Sequence, residues 1–329
     1  MRRIKLGRSA VGITELSFGA AAIGNLFTEV DPAQAAAAVD AAWDEGIRSF
    51  DTAPHYGLGL SERRLGEALR DRPRDAYTVS TKVGRLLEPL PPETAPAHGL
   101  SEGFAVAHTH RRRWDFSADG IRRSVEDSLG RLGLDRVDLV YLHDPDDHEE
   151  AAFHEGYPAL ERLRAEGMVG AIGAGMNQTA MLTRFLRDTD VDTVLCAGRF
   201  TLLDRSALAD LLPEAEARGR AVVVGGVFNS GLLADPRPGA TYDYAPAPAH
   251  LLERALRIEE VTRRHGVPLR AAALRHPLGH PAVAGVLVGA RSPEEVRDAA
   301  ALLRTPVPDA LWEELRSEGL SAVPAGETA

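Results

Sequence analysis

Four ionisable side chains stand at or just beyond the ends of short apolar runs. Asp51 closes the run Ile47 to Asp51 (IRSFD) and Tyr56 follows it in the same turn; Lys82 closes Ala76 to Lys82 (AYTVSTK) and His143 closes Val137 to His143 (VDLVYLH). As a set they suit the interconversion of carbonyls and alcohols, in which a hydride reaches or leaves carbon while a proton goes to or comes from oxygen. A phenol can handle that proton once its pKa falls toward neutrality, which gives Tyr56 the acid-base role. A Lys82 ammonium beside it would stabilise phenolate, and Asp51 would pair with Lys82 and fix its position. His143 would hydrogen-bond the substrate oxygen and orient it. Each residue alone has a plainer use: an aspartate caps a turn, a tyrosine packs, a lysine beside a glycine is solvated. Four complementary groups at three strand ends favour a shared site.

The elements that must gather them alternate regularly. Strand-like runs lie at Leu16 to Ala20, Ile47 to Asp51, Ala76 to Lys82, Val137 to His143, Val169 to Ala174, Asp192 to Ala197, Ala221 to Val227 and Ala284 to Gly289. Amphipathic helix candidates fall at Pro32 to Trp43, Ser61 to Arg70, Ala118 to Leu132, Tyr157 to Ala165, Thr179 to Arg187, Ser206 to Arg218, Leu251 to His265 and Pro293 to Leu303. Asp31 before Pro32, and Ser292-Pro293 with Glu295 three residues after the serine, are helix-start signals. Eight strand-helix units predict a (β/α)₈ TIM barrel in one α/β domain, residues 1–320, with 321–329 a flexible tail. Ionisable groups at the carboxyl ends of parallel strands then converge on one mouth. One connection breaks the rhythm: Val83 to Phe116 shows no sustained period and is expected as a long irregular loop on that same face.

Composition narrows the function classes. The chain has 329 residues, 44% hydrophobic and 26% charged, as in an ordinary globule with a sizeable core. A net charge of -10 opposes nucleic-acid binding, which depends on Lys and Arg. The single cysteine, Cys196, permits no internal disulfide and no thiol cage. The start MRRIKLGRSAVG lacks the apolar block of a secretory signal, and no stretch is long enough to span a bilayer, so a cytoplasmic location is expected, with no membrane partner.

The stretch GIRSFDTAPHYGLGLSERRLGEAL resembles the second-strand signature of the aldo-keto reductases, with Asp51 and Tyr56 in the catalytic positions. STK with Lys82, LHDPDD with His143 and GAGMN with Asn177 extend the resemblance from Leu16 to Leu303. It implies a nicotinamide cofactor whose carboxamide is hydrogen-bonded by Asn177. Phe228, Asn229, Ser230, Gly231 and Leu232 would follow its pyrophosphate, and Gly289, Ala290, Arg291, Ser292 and Glu295 its adenosine end. The Gly-rich exit GGVFNSGLL independently suits phosphate, since exposed backbone N–H groups bind anions; a simple tight turn is the plainer alternative. Family members that favour the 2′-phosphate carry a lysine and an arginine where this chain has Gly289 and Glu295. A glutamate repels phosphate, so the expectation leans toward NAD over NADP, with Arg291 compensating in part. Two further departures touch the nicotinamide pocket: Ala197 replaces a usual glutamine and Gly225 a usual stacking tyrosine.

Within the family, CAGRFTLLD, GGVFNSGLL and LHDPDDH resemble the bacterial L-fucose, L-galactose and D-threo-aldose 1-dehydrogenase branch, which oxidises the anomeric hydroxyl of an aldose to a lactone. Carbonyl reduction and pyridoxal oxidation are alternatives on the same fold. His108, His110, Trp114 and Asp147 are the candidate substrate contacts, against a plain reading of the His-Arg cluster as solvated loop. No metal is expected. His108-Thr109-His110 would suit a metal-dependent barrel hydrolase, but the pair lies away from the strand ends and Lys82 would put a cation beside the metal. A second rival is a nucleotide-binding regulatory subunit, which the intact four-residue set disfavours. The implied partner is a small sugar or aldehyde, and a monomer or homodimer is expected.

Overall fold

The parallel strands of a closed barrel are buried on both faces, and the runs found here are buried along nearly their whole length. The computed structural model describes residues 1–91 and 99–321. Its centre is a closed eight-stranded barrel: β1 (Leu16–Gly19), β2 (Ser49–Asp51), β3 (Thr78–Val83), β4 (Val137–His143), β5 (Val169–Met176), β6 (Thr193–Ala197), β7 (Ala221–Gly225) and β8 (Val283–Gly289). Every neighbouring pair is parallel and β8 pairs with β1, closing the ring as the alternation predicts.

Side chains alternate across the pleat, and this separates two cores. Leu139, Tyr141, Ala171, Leu195, Val223 and Ala284 point inward and pack together. Their neighbours Val140, Ile172, Val194 and Val222 point outward against the helices. The inner core is stoppered at the amino-terminal end of the barrel by Leu6 and Ile13. They belong to the antiparallel hairpin of Arg3–Lys5 with Gly12–Thr14 and its connecting turn, an element that the sequence pattern did not reveal.

Eight helices cover the barrel: α1 (Pro32–Asp44), α2 (Leu60–Leu69), α3 (Ala118–Leu132), α4 (Tyr157–Ala165), α5 (Thr179–Asp188), α6 (Leu211–Ala217), α7 (Leu269–Arg275) and α8 (Pro293–Arg304). Asp31 caps α1 by accepting from the amides of Ala33 and Gln34 at 2.8 and 3.3 Å. Expected boundaries hold to within one or two residues for most elements. The Ser206 to Arg218 candidate resolves into a 3₁₀ turn at Ser206–Leu208 followed by α6. The seventh unit needs correction: α7, an alanine-rich helix with little periodic signal, leads into β8. The more amphipathic Ala249–Arg264 is an additional helix that packs against Asp309–Ser317.

The largest departure is the segment from Val83 to Phe116. Its described residues hold short strands in place of the irregular loop expected. Arg85–Pro89 pairs antiparallel with His110–Trp114, and Gly99–Ser101 pairs with Phe104–Val106, so two small hairpin-like sheets rise from the β3 end. Their short strands and charged faces (HRRRW) hid the alternation. The expected tail, apart from Ser321, lies outside the described residues. Among the described residues no helix is long and apolar enough to cross a membrane.

Candidate active site

The inward face of β3 carries Thr78, Ser80 and Lys82 in succession, and that of β4 carries Leu139, Tyr141 and His143. Lys82 and His143 therefore end their strands pointing into the barrel mouth, with Lys82 in register with Tyr141. On β2, Asp51 sits beside Ser80. The Lys82 ammonium pairs with Asp51 Oδ1 and donates to the Thr52 carbonyl at 3.0 Å. Ser80 Oγ donates to the other Asp51 oxygen at 2.7 Å. Both charges are almost fully buried, at 2% and 5% side-chain exposure.

Tyr56 comes from the loop after β2. The chain turns sharply behind it at Gly57, whose φ is +63° and where a Cβ would stand 2.2 Å from the Gly24 carbonyl oxygen, so only glycine fits. The turn delivers the ring to Lys82: Nζ lies 4.7 Å from the ring centre. The His143 ring stands perpendicular to Tyr56 at 5.9 Å. Asp51, Tyr56, Lys82 and His143 are thus brought together from three strand ends.

Their electrostatics are mutual. Burial alone lowers the Lys82 pKa, but Asp51 and Tyr56 outweigh it and the ammonium ends above its ordinary value. Burial raises the Tyr56 pKa above 10; Lys82 pulls it down and Asp51 pushes it back up. The net direction corrects the expectation of a phenol lowered toward neutrality: without a ligand, desolvation wins over the cation. His143 is driven well below 6.5 by burial, reinforced by Arg85, Lys82 and His55, so it is a neutral imidazole. Its Nε2 lies 3.6 Å from Asp144 Oδ2, too long for a hydrogen bond, and Asp144 is held instead by Arg85 at 2.5 Å.

Tyr56, Lys82, His143 and Asn177 all line one cavity of about 460 Å³. Its walls also include six residues without an expected site role: His55, Phe27, Phe104, Glu102, Asp144 and Tyr244. Only His55, adjacent to Tyr56 in APHYG, carried a local signal; the others come from loops whose convergence requires the fold. Phe104 stacks on Tyr56 at 5.8 Å and 28°, within a small cluster that includes Leu58 and Val106. The Tyr244 ring meets Phe27 at 5.9 Å. The four candidate substrate contacts lie elsewhere. Trp114 is 41% exposed, stacks on Phe116 and carries the Arg85 guanidinium 4.1 Å from its ring centre. His110 bonds Thr109, His108 buries an Nε2 with no partner among the described residues, and Asp147 is exposed. None of them lines the cavity.

The mouth has features that fit a dinucleotide. The paired ends of β6 and β7 bear only Ala197 and Gly225, and a Cβ at Gly225 would meet nothing closer than the Ala197 Cβ at 4.0 Å, leaving room for a flat ring. Asn229 is buried with its Oδ1 unpartnered among the described residues, while its Nδ2 donates to the Gly198 carbonyl. In the turn that follows β7, Ser230 Oγ accepts from the Tyr244 amide, and the amides of Gly231 and Leu232 close turns onto Phe228 and Asn229. Beyond β8, Ser292 caps α8 by accepting from the Glu295 amide, and Glu295 Oε2 accepts in return from the Arg291 amide at 2.8 Å. Arg291 itself reaches Thr28 Oγ1 at 3.0 Å. Gly289 and Ala290 lead into this cap. Among the described residues no group of three His, Cys, Asp or Glu could hold a metal ion.

A barrel whose mouth joins a buried ammonium, a phenol and a neutral imidazole defines an oxidoreductase of the nicotinamide-dependent kind. Residues 15–318 match the model of the aldo/keto reductase family, and the chain belongs to that family. It is 44% identical over 319 residues to a D-threo-aldose 1-dehydrogenase of a Pseudomonas species, covering 96% of this chain and 97% of the relative. It is 42% identical over 332 residues to a pyridoxal 4-dehydrogenase of Microbacterium luteolum, covering 96% of each. An aldo-keto reductase of Bacillus halodurans, solved in its holo form, superposes with a TM-score of 0.75 at 27% identity, over 100% of this chain and 99% of that one.

The buried histidines give a pH signature. Burial, with Arg85, Arg112 and Lys82 adding, lowers His55 to about 2, so it stays neutral in the fold. An unfolded histidine binds a proton below about 6.5. The unfolded state then holds more protons, so stability is present above that pH and declines as pH falls toward the native pKa, by about 1.4 kcal/mol per pH unit per histidine. Urea titrations of His55→Gln between pH 6.5 and 4.5 should show a shallower decline than the parent. An unchanged slope would remove His55 as a contributor.

Proposed function

We propose that the protein oxidises the anomeric carbon of an aldose of the L-fucose, L-galactose or D-threo-aldose type, giving a lactone. The observation that carries this is the cavity wall: beyond the proton-handling set it presents Glu102, Asp144 and His55, three polar groups suited to a polyhydroxylated ring. The likeness to an aldose 1-dehydrogenase along nearly the whole chain supports the same reading.

A bound nicotinamide supplies the hydride acceptor, or the donor in reverse. Tyr56, as phenolate, takes the proton of the anomeric hydroxyl. Lys82 faces that phenolate and counters part of the desolvation that raises its pKa, while Asp51 keeps the ammonium charged and in place. His143, neutral, holds the substrate oxygen by a hydrogen bond without competing as an acid. Asn177 would hold the carboxamide, Phe228, Asn229, Ser230, Gly231 and Leu232 the pyrophosphate, and Gly289 to Glu295 the adenosine end. NAD is favoured over NADP, because Glu295 stands at the α8 start, where it would repel a 2′-phosphate, and pairs loosely (3.7 Å) with Arg291, the residue that would otherwise meet it. The protein acts in the cytoplasm as a monomer or homodimer.

A second reading, pyridoxal oxidation, has its own support in the aromatic wall of Phe27, Phe104 and Tyr244 and in the 42% identical relative. Pyridoxal also reacts as a cyclic hemiacetal, so the same proton steps serve. Simple carbonyl reduction would use them in reverse.

A panel of L-fucose, L-galactose, D-arabinose, L-xylose and pyridoxal against both cofactors, followed by nicotinamide absorbance, separates these readings. Turnover of aldoses above pyridoxal is expected. In the same assay Tyr56→Phe should lose about 10²- to 10⁴-fold in kcat with cofactor affinity retained; parent-like turnover would dismiss Tyr56 as the acid-base group.

The raised Tyr56 pKa makes phenolate scarce at neutrality, so kcat/KM for oxidation should climb with pH above 7, while the reverse reduction gains no such advantage. A flat oxidation profile up to pH 10 would contradict that assignment.

Removing the negative charge with Glu295→Gln keeps an acceptor for the Arg291 amide and leaves Arg291 unopposed. The ratio of NADP to NAD affinity should rise several-fold, an order-of-magnitude expectation for one exposed charge at short range; an unmoved ratio would clear Glu295 of that role.

A further inference from the structure

The hairpin of Gly99–Ser101 with Phe104–Val106 turns through Glu102 and Gly103, both left-handed, with φ of 47° and 86°. Such a turn favours Asn-Gly or Asp-Gly, and a longer side chain at its first position sits against the steric preference of its backbone. A strained residue on a cavity wall is a place to look for function.

The turn is firmly anchored. The Phe27 amide donates to the Gly103 carbonyl at 2.7 Å. Arg112, with 6% side-chain exposure, donates to Ser101 Oγ at 2.8 Å and to the His55 carbonyl at 3.1 Å. One guanidinium therefore ties the turn to the loop that carries His55 and Tyr56. The Glu102 carboxylate is thereby brought within 3.6 Å of His55 Nδ1, just beyond hydrogen-bond reach, and that ring nitrogen is buried with no partner among the described residues. Because His55 is neutral, the two do not form an ion pair. The Glu102 carboxylate, a strong acceptor, and the His55 ring line the same cavity. A hydroxyl, which donates and accepts at once, can bridge them.

The His55 ring centre is 6.0 Å from that of Tyr56 and 5.7 Å from that of His143. A group held between Glu102 and His55 then belongs to the same small molecule whose reacting oxygen lies between Tyr56 and His143. We infer that Glu102 and His55 form a hydroxyl-reading subsite, which selects substrates carrying a second hydroxyl on the ring remote from the reacting carbon. The inference rests on the aldose reading and sharpens it: discrimination resides in a hairpin turn after β3, outside the proton-transfer set.

The test compares two substrates in one enzyme: the best aldose of the panel, and propanal, which has no second hydroxyl, reduced with reduced nicotinamide. Glu102→Gln removes the charge, and Glu102→Gly suits the left-handed turn and keeps the hairpin. In both, kcat/KM for the aldose relative to that for propanal should fall about ten- to a hundredfold, as for loss of a hydrogen bond to a charged group, with KM carrying the change. An unchanged ratio in both variants of an enzyme that does oxidise aldoses overturns the subsite alone. A parent enzyme that reduces propanal and oxidises no aldose overturns the aldose reading, and the subsite with it.

Discussion

The buried pair of Lys82 and Asp51 sets the terms for the rest of the molecule. Taking an ammonium and a carboxylate out of water costs several kcal/mol per ion, recovered only when each finds partners. Here the partners come from different strands: Ser80 on β3 donates to the second Asp51 oxygen, and the Thr52 carbonyl beyond β2 accepts a hydrogen bond from Lys82. Thr52 is itself tied through its hydroxyl to Ser61, which donates to the Ala20 carbonyl after β1. Three strand exits are thus linked through one charge pair. Next along β3, Thr81 donates to the fully buried Glu62, whose other oxygen pairs with Arg131, so α2 and α3 are drawn into the same arrangement.

Upon this base the loops do the shaping. The barrel alone ends in a shallow bowl; depth comes from the β1 exit with Phe27, the hairpin with Phe104 and the β7 loop with Tyr244. Phe104 matters twice, once as wall and once as the surface on which Tyr56 stacks. The phenol is consequently held from two sides, by a cation over its ring and by a flat apolar neighbour. Dryness at this point has an electrostatic price: the same enclosure that sharpens hydrogen bonds also raises the phenol and depresses both imidazoles.

Much of this was legible in the chain. Period-two runs ending in Asp51, Lys82 and His143 located three barrel strands and their inward faces, because a strand fixes the direction of every second side chain. Caps such as Asp31 and Ser292 located helix starts, because their chemistry is local. What escaped was of two kinds. The hairpins within 83–116 and the amino-terminal stopper have strands too short for a pattern to emerge, and α7 is too rich in alanine to show a face. Glu102, Asp144 and Tyr244 lie on loops, and nothing in their neighbours announces that three separated segments meet. The sign of the Tyr56 shift also lay beyond the sequence, since it depends on how completely the ring is enclosed relative to its distance from Lys82.

The hairpin after β3 is joined to the barrel by its two ends and by side-chain and loop contacts, and its own ladder hydrogen bonds never enter the ring of parallel strands. Evolution can therefore lengthen, shorten or redecorate that small sheet while the barrel's hydrogen-bonded frame goes on folding as before. A lineage built this way is free to diversify by editing one surface graft while its inherited machinery stays intact.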